Sequence, residues 1–554
     1  MAKKNIMAVL YIKERKTGVI RMIMIKKLVN KTMSLLPYLI FILIIVDAIT
    51  VIFSFSAGIN YYDVYDYIED VTWAEASIKA NAIVNKEYIY YYLLPFGPNL
   101  IMYPFVKFFG FTFLANQMGM IVYLAIYIMV IWRLSTCLYD KLPEKLIFCS
   151  LASFFIFTYI GDNLFHHILI YGIGFVCFVG ELACIIQINN NNKKPFNYFL
   201  LIIFSLWSAS NGIAGTALSS FPILLSLLFV GYKDYMNKKE INISPFVVIM
   251  LPSIIGLSVF NYFNSTVLTL HQDENRMILD SAASLVKRIN NTLLFDYLQI
   301  FYYHPDQESL FSAGGIWELV KLGFSLLVLI IPFFKKIKIE EGIHSNKQNK
   351  DSQIIYCACV IVMAVSLAQY LLVTSSVQRY LFNGILSLFM IDSLIIVNYY
   401  KSGKSHCIPL LLLLVLSLFT FKTLFYTYPA GLTVKEKYEK VESILKENNM
   451  NYGYVLDRRW KIVELISKGK NRNTPIFYDK AKHKYYVRND RAYLSERLKP
   501  EAIDHFYIIS DQESKDKWEI ELLEKAIKKT RYEEYMIYVF DIEAWDEMFF
   551  IKEY

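Results

Sequence analysis

The chain has 554 residues, of which 55% are hydrophobic and only 19% are charged, and its mean hydropathy is +0.36. This balance excludes an ordinary soluble globular protein and is typical of a chain whose apolar surface meets lipid. The formal net charge of +8 is interpreted as cytoplasmic lysines facing anionic lipid, so no nucleic-acid partner is predicted.

Apolar segments near 20 residues long recur along the chain, and this is the length that a helix needs to cross a hydrocarbon core of about 30 Å. They predict a multi-spanning α-helical membrane protein with about 11 transmembrane helices. The segments are 35–56, 115–132, 145–160, 166–188, 197–209, 213–231, 244–263, 315–334, 354–374, 380–398 and 407–426. The fifth is short, and together with the sixth it is alternatively interpreted as one broken hairpin.

Lysine and arginine predict the orientation of these helices, because cytoplasmic loops carry an excess of both. The first 34 residues hold nine of them against one acid, Glu14, and alternate loops continue the excess. The amino end is therefore predicted to be cytoplasmic, with loops 57–114 and 264–314 and the carboxyl end outside the cytoplasmic membrane. The same count predicts that residues 97–110 lie along the membrane without crossing it.

The composition changes sharply after residue 426, which divides the chain into a membrane domain (1–426) and a charged domain (427–554). Alternating strand and helix patterns predict that the second is a small extracytoplasmic α/β domain. Strands are predicted at Tyr452–Leu456, Phe506–Ile509 and Met536–Phe540, and helices at Tyr438–Asn448, Trp460–Lys468 and Lys515–Lys529. The seven cysteines lie in or beside apolar segments, which argues against a disulfide framework and a thiolate metal site.

The loop after the first apolar segment crowds carboxylates among tyrosine and tryptophan. Its acids are Asp63, Asp66, Glu69, Asp70 and Glu75. On a helix, Asp66, Glu69, Asp70 and Trp73 share one face by their i, i+3, i+4, i+7 spacing. A positioned carboxylate can remove a proton from a hydroxyl group, so this face is a candidate catalytic site. The alternative interpretation is a solvated surface helix.

The order of motifs along the membrane domain resembles that of the type C (GT-C fold) glycosyltransferases. The matching features are the acids 66, 69 and 70 before Trp73-Ala74, the Pro-x-Gly-Pro at 95–98, the Phe-Phe-Gly at 108–110, the Leu-Ala-Asn-Gln at 114–117 and the pair Arg379-Tyr380. Members of this family take a sugar from a polyprenyl phosphate or diphosphate at the outer or lumenal face. The chain looks most like the uncharacterised bacterial members that end in a small α/β domain.

The resemblance implies a hexosyl- or pentosyltransferase whose general base is a carboxylate of the first outer loop. Aligning on Trp73-Ala74 favours Asp66, whereas aligning on the adjacent acid pair favours Glu69 or Asp70. The departing phosphate needs cations, for which the candidates are Arg379 with Arg276, Lys287 or Arg288. Asp63, Trp73, Glu75, His166, His167 and Tyr380 are further candidate substrate contacts. No cofactor is certain, and a Mg or Mn ion on Asp66, Glu69 and Asp70 is left open.

The expected partners are a polyprenyl-phosphate sugar donor, a cell-surface glycan, lipid or protein acceptor, and the lipid bilayer. Two other functions stay open, namely a flippase or transporter of lipid-linked saccharide and a polysaccharide polymerase or ligase. His166-His167 are alternatively an interfacial pair, and the tyrosine run at 88–92 is either an interfacial belt or a sugar-stacking surface. Asp47, Glu181 and Asp392 fall inside predicted spans, where acids are functional candidates by default. Asp47 is predicted to lie near the proposed site, whereas Glu181 and Asp392, toward the inner side, are interpreted as helix-packing or boundary residues.

Overall fold

The structure is a computed structural model. It describes residues 35–58, 64–90, 93–168, 170–189, 194–236, 244–267, 282–301, 312–333, 345–372, 378–401, 428–487, 492–501, 503–510, 516–533 and 535–551. The predicted site residues Asp63 and Arg276 and the predicted span 407–426 lie outside this part of the chain.

The first part of the described chain is helical apart from one two-residue strand. Its elements are α1 (Leu35–Ala57), α2 (Val64–Tyr67), α3 (Glu69–Ala80), β1 (Tyr88–Ile89), α4 (Pro98–Phe109), α5 (Phe113–Leu138), α6 (Leu142–Ala152), α7 (Tyr159–His166), α8 (Ile170–Asn189), α9 (Pro195–Ala209), α10 (Gly212–Leu218), α11 (Ser220–Met236), α12 (Ser244–Asn264), α13 (Ala282–Arg288), α14 (Leu294–Ile300), α15 (Ala313–Ile330), α16 (Ser345–Leu372) and α17 (Phe382–Lys401). A π-helical segment, Ile289–Leu293, joins α13 to α14.

Seven of the described segments are long and apolar enough to cross a membrane: α1, α5, α8, α10 with α11, α12, α16, and the segment that contains α17. The prediction of 11 spans is therefore confirmed only in part. The segment predicted at 145–160 bends by 82° before α7, and the one at 197–209 is the 15-residue α9. The helix at 315–334 is α15, which is not one of the seven.

Between α3 and α5 the chain forms α4, a helix that is too short to span the membrane. Its 12 residues extend about 18 Å, which is too short for a hydrocarbon core of about 30 Å. Phe108 near its end is 82% exposed, and Gly110 follows with a positive φ of 69°. These features agree with the prediction that residues 97–110 do not cross.

Hydrogen bonds between helix ends show which ends of the helices lie on the same side of the bundle. At one end, Gln117 at the start of α5 donates to Ser56 of α1 over 2.6 Å. At the other end, Arg133 donates to Gln187 over 2.9 Å and to Asn197 over 2.6 Å, which joins the end of α5 to α8 and α9. We call the first the acidic end, because α2 and α3 follow α1 there, and the second the basic end.

The C-terminal part is a small domain built on a sheet. It consists of α18 (Tyr428–Glu447), β2 (Tyr452–Val455), α19 (Ile462–Ile466), β3 (Arg472–Asp479), β4 (Lys484–Val487), β5 (Ala492–Tyr493), β6 (His505–Ser510), α20 (Lys517–Glu524), β7 (Lys528–Tyr532), β8 (Tyr535–Asp541) and α21 (Trp545–Met548). The six-stranded sheet has the order β4-β3-β2-β6-β8-β7. Its centre, β2, is parallel to β3 and β6, and the other pairs are antiparallel.

The predicted strands at Tyr452–Leu456, Phe506–Ile509 and Met536–Phe540 correspond to β2, β6 and β8. The predicted helix Lys515–Lys529 is too long, because the chain leaves α20 after Glu524 and pairs β7 with β8 from Lys528. The small strand β5 does not join the main sheet. It pairs antiparallel with β1 of the membrane domain instead, which connects the two domains.

Candidate active site at the acidic end

The predicted base Asp66 and the predicted phosphate ligand Arg379 are in direct contact. Arg379 lies in the 3-10 segment Gln378–Leu381 that leads into α17, and its Nη1 donates to Oδ2 of Asp66 over 2.9 Å. Asp66 is 21% exposed and Arg379 is 31% exposed, so the pair meets at an accessible surface. Of the three predicted carboxylates, only Asp66 has a solvent-accessible side chain.

Glu69 and Asp70 start α3 and lie below this surface, fully buried. Nε2 of His167 lies 3.5 Å from Oε2 of Glu69 and 3.2 Å from Oδ1 of Asp70. The backbone N–H of Ile168 donates to Oδ2 of Asp70 over 2.6 Å. Two carboxylates thus contact one buried imidazole. Such a group is stable only if hydrogen bonds and opposite charges compensate for the loss of water around it. The predicted direct action of Glu69 or Asp70 on a substrate conflicts with this burial.

His166 has a structural role that differs from the predicted substrate contact. Its Nε2 donates to the carbonyl oxygen of Val51 over 2.6 Å and lies 3.1 Å from Oγ of Ser54. The ring also packs on Tyr67, with the centroids 4.8 Å apart. The imidazole is buried, so it ties α7 to the end of α1 and to α2.

Trp73 and the tyrosine run form a buried aromatic cluster. Trp73 packs edge-on against Tyr90 at 5.2 Å, Tyr90 against Tyr88 at 4.9 Å, and Tyr88 against Tyr493 of β5 at 5.2 Å. These residues belong to one buried cluster. The described tyrosines of the run are therefore packing residues between the domains, and the predicted substrate contact through Trp73 conflicts with its burial.

Glu75 contacts the C-terminal domain. Nη2 and Nη1 of Arg472 donate to its two carboxylate oxygens over 2.5 and 3.2 Å, and Nζ of Lys79 lies 3.4 Å from Oε1. Burial alone would raise the pKa of Glu75, but the hydrogen bonds and charge of Arg472, followed by those of Lys79, bring the pKa below its usual value. Glu75 therefore links α3 to the C-terminal domain, and its role in substrate binding stays a prediction.

The other predicted cations lie on neighbouring elements. Lys287 is exposed on α13, while Nη1 of Arg288 donates to the carbonyl oxygen of Tyr370 over 2.9 Å at the end of α16. A cation at this position satisfies carbonyl groups that a helix end leaves without intrahelical partners. Tyr380 is half-buried beside Tyr171, with ring centroids 6.4 Å apart.

The predicted metal ligands do not converge on one point. Asp66 faces Arg379, whereas Glu69 and Asp70 lie against His167. Within the described ranges, no group of three or more His, Cys, Asp or Glu side chains is arranged to hold a metal ion. These residues therefore do not fit the Mg or Mn site that the sequence left open.

Sequence reasoning missed Arg472, although it makes the closest contact to Glu75. It lies 397 residues away in the chain, at the start of a strand that the sequence did not predict. The only hint in the sequence was the charge of Arg472 shortly before the apolar residues Pro475 and Ile476, and such a pattern is too common to predict a contact.

No protein-family profile matches the chain, and no curated protein sequence matches it significantly.

Proposed function

We propose that the protein is a membrane glycosyltransferase that moves a sugar from a polyprenyl-phosphate carrier to a cell-surface glycan, lipid or protein. The reaction would take place at the outer face of the cytoplasmic membrane, where the acidic end would lie. The observation that supports this best is the contact between Asp66 and Arg379, which are 313 residues apart. The reaction needs a general base for the acceptor hydroxyl and a cation for the departing phosphate, and a carboxylate and a guanidinium group suit these two steps.

Asp66 acts as the general base in this proposal. Its carboxylate accepts the proton of the acceptor hydroxyl as the acceptor oxygen forms its bond to the anomeric carbon. The bond from that carbon to the phosphate oxygen breaks, and the lipid phosphate leaves with the electron pair. Arg379 binds this phosphate through its fork of N–H donors. Phosphate binding thereby draws Arg379 away from Asp66 and frees the carboxylate for the acceptor.

Glu69 and Asp70 support the site from below. They are buried with His167 at the start of the helix that follows Asp66, so in this proposal they fix the position of α3 and the local electrostatic field. The exposed apolar surface of α4, with Phe108 at its end, lies at the membrane and accommodates the carrier chain.

Transfer of radiolabelled sugar tests this function. Purified protein in lipid nanodiscs is given a panel of polyprenyl-phosphate sugars with host lipid and wall extract. Asp66→Asn is expected to reduce kcat by roughly 10²–10⁴-fold, the usual contribution of a general base. Arg379→Gln is expected to raise the KM for the donor, and Glu87→Gln, an exposed acid of the same loop, serves as the matched control. Full activity of Asp66→Asn would exclude Asp66 as the base.

One observation favours a flippase as the second candidate. Asp392 of α17 is buried, and neither of its carboxylate oxygens has a hydrogen-bond partner among the described residues. Acids of this kind inside a membrane helix often mark a transport path. Movement of labelled carrier lipid across vesicles, without sugar transfer from any donor and with loss in Asp392→Asn, would favour transport.

A further inference from the structure

We propose that Arg472 is a positioning residue, through which the C-terminal domain holds α3 in place for the reaction at Asp66. This inference rests on the proposed function, and it assigns the C-terminal domain a part in catalysis. Arg472 itself does not contact the substrate.

The contact between α3 and the C-terminal domain is built from several independent interactions. Arg472 donates two hydrogen bonds to Glu75. Nζ of Lys79 lies 4.3 Å from the centroid of the Tyr493 ring. Next to them β1 pairs with β5, and the N–H of Leu494 donates to the carbonyl oxygen of Glu87 over 2.7 Å. Planar, bidentate pairs of this kind fix orientation as well as distance.

The other side of Arg472 is anchored in the interior of the C-terminal domain. Its Nη1 lies 3.9 Å from Oε2 of Glu464, a buried carboxylate. Oε1 of Glu464 accepts from Nζ of Lys461 over 2.9 Å and from the N–H of Asn473 over 2.7 Å. Contacts within the C-terminal domain therefore fix the guanidinium group. Because the group also binds Glu75, the location of this domain determines where Glu75 lies.

The position of Glu75 controls the reacting end of α3. Glu75 follows Asp70 by five residues in one helix, so the two are about 8 Å apart along its axis. A tilt of α3 at Glu75 moves the buried pair Glu69 and Asp70, and with them the short helix that carries Asp66. Misplacement of a reacting group by about 1 Å can cost on the order of 10²-fold in rate.

Arg472→Gln tests the role of this contact. The expected result is a fall in kcat of about 10–100-fold with little change in the KM for the donor, since the binding groups for the phosphate stay in place. Arg472→Lys should retain part of kcat, because it keeps the charge but not the bidentate geometry. The matched control is Lys499→Gln, which removes an ion pair to Asp546 inside the C-terminal domain, 2.6 Å long, and should leave kcat unchanged.

A reversible cross-link separates positioning from general damage. Ile89 and Ala492 are direct partners in the antiparallel β1–β5 pair, and the Cα atoms of such partners lie about 4.5–5.5 Å apart, which is within the range that a disulfide spans. In Arg472→Gln, oxidation of this pair should restore kcat, and reduction should abolish the gain. If the cross-link forms but kcat does not recover, or if Arg472→Gln keeps full kcat, Arg472 is not a positioning residue.

The rate of cross-linking also gives a readout that needs no transferase activity. The comparison is between the cysteine-pair protein that retains Arg472 and the same protein with Arg472→Gln. Slower oxidation in Arg472→Gln would support the link between α3 and the C-terminal domain. Equal rates would overturn it. Absence of sugar transfer in every form of the protein, together with slower oxidation, would reject the proposed function and leave the contact standing.

Discussion

Three acids that share one helical face in the sequence have different surroundings in the folded chain. Asp66 is partly exposed beside Arg379, whereas Glu69 and Asp70 are buried against His167. Spacing along a helix predicts which side chains share a face, but not which part of that face is covered by another helix. The choice among the three possible bases therefore depends on the position of the chain around His167.

Removal of the His167 imidazole is expected to destabilise the protein strongly. His167→Ala removes the imidazole that contacts both Glu69 and Asp70 in a buried site, and removing one partner of a buried ionic contact costs about 3–5 kcal/mol. Thermal unfolding in detergent measures the change. The double variant His167→Ala/Glu69→Gln should recover part of the loss, because it removes one of the two charges. Equal stability of the unmodified protein, the single variant and the double variant would show that His167 and Glu69 do not interact energetically.

Acid is expected to weaken the contact between the domains through Glu75. The pKa of Glu75 is lowered in the folded protein from 4.5, so its ion pair stabilises the folded state above this value. The contribution is lost as the pH falls through the lowered pKa. Burial raises the pKa of the neighbouring Glu496, and its protonation on acidification relieves a cost, which partly opposes the effect.

Oxidation of the cysteine pair at positions 89 and 492 reports this contact as a function of pH. The cross-linked fraction reached after a fixed time, divided by that of Glu75→Gln to remove the pH dependence of thiolate formation, should fall as the pH drops below 4.5, the ordinary pKa of this glutamate. Glu75→Gln should show only the pH dependence of the thiols, because its amide group does not titrate in this range. An identical pH profile in both proteins would mean that another group controls the contact.

At the scale of elements, seven of the eleven predicted spans are long apolar helices, and the three predicted strands are β2, β6 and β8, but the sequence missed β3, β4 and β7. Long apolar helices are recognisable because their composition is set by lipid along their whole length. In contrast, β3 has eight residues without a regular alternation of buried and exposed positions, β4 has only four residues, and β7 includes the exposed charges Lys528 and Arg531. Whether such a segment pairs depends on a neighbouring strand from elsewhere in the chain, which is why the helix prediction at Lys515–Lys529 ran into β7.

The end of α4 offers a test of backbone conformation. Gly110 has φ 69° and ψ −165°, a combination that is essentially restricted to glycine. A Cβ atom at Gly110 would meet nothing within 4 Å, so Gly110→Ala should cost about 1–3 kcal/mol through the backbone alone.

The matched control for this substitution is Gly323 in the middle of α15. A Cβ atom there also meets open space, and its φ is not positive. Gly323→Ala should therefore be neutral or stabilise the protein by about 0.4–1 kcal/mol. Both changes are measured by thermal unfolding in the same detergent. Equal effects at the two positions would argue against strain at the end of α4.

At the scale of the whole molecule, the two ends of the bundle carry different charge. The acidic end holds Asp66, Glu69, Asp70 and the docked C-terminal domain, and the basic end holds Arg133 and Lys401, the latter 5.7 Å from the ring of Tyr139. By the positive-inside rule, the basic end is expected in the cytoplasm.

Labelling with a membrane-impermeant maleimide tests this orientation. A cysteine that replaces Lys79 at the acidic end should react in intact cells. A cysteine that replaces Lys141, next to the end of α5, should react only after permeabilisation. Both lysines are exposed, and a variant without other reactive cysteines provides the background. The opposite pattern would invert the orientation and place the proposed site in the cytoplasm.

The sequence by itself determined the membrane class, most of the long helices, the non-crossing α4 and the central strands of the C-terminal domain. These features follow from local composition and periodicity, which a short window of residues contains. Only the tertiary structure decided that Asp66 is the accessible acid, that His166 and Trp73 are packing residues, and that Arg472 holds Glu75. Each of these depends on contacts between segments that are far apart in the chain, and no local pattern specifies such partners.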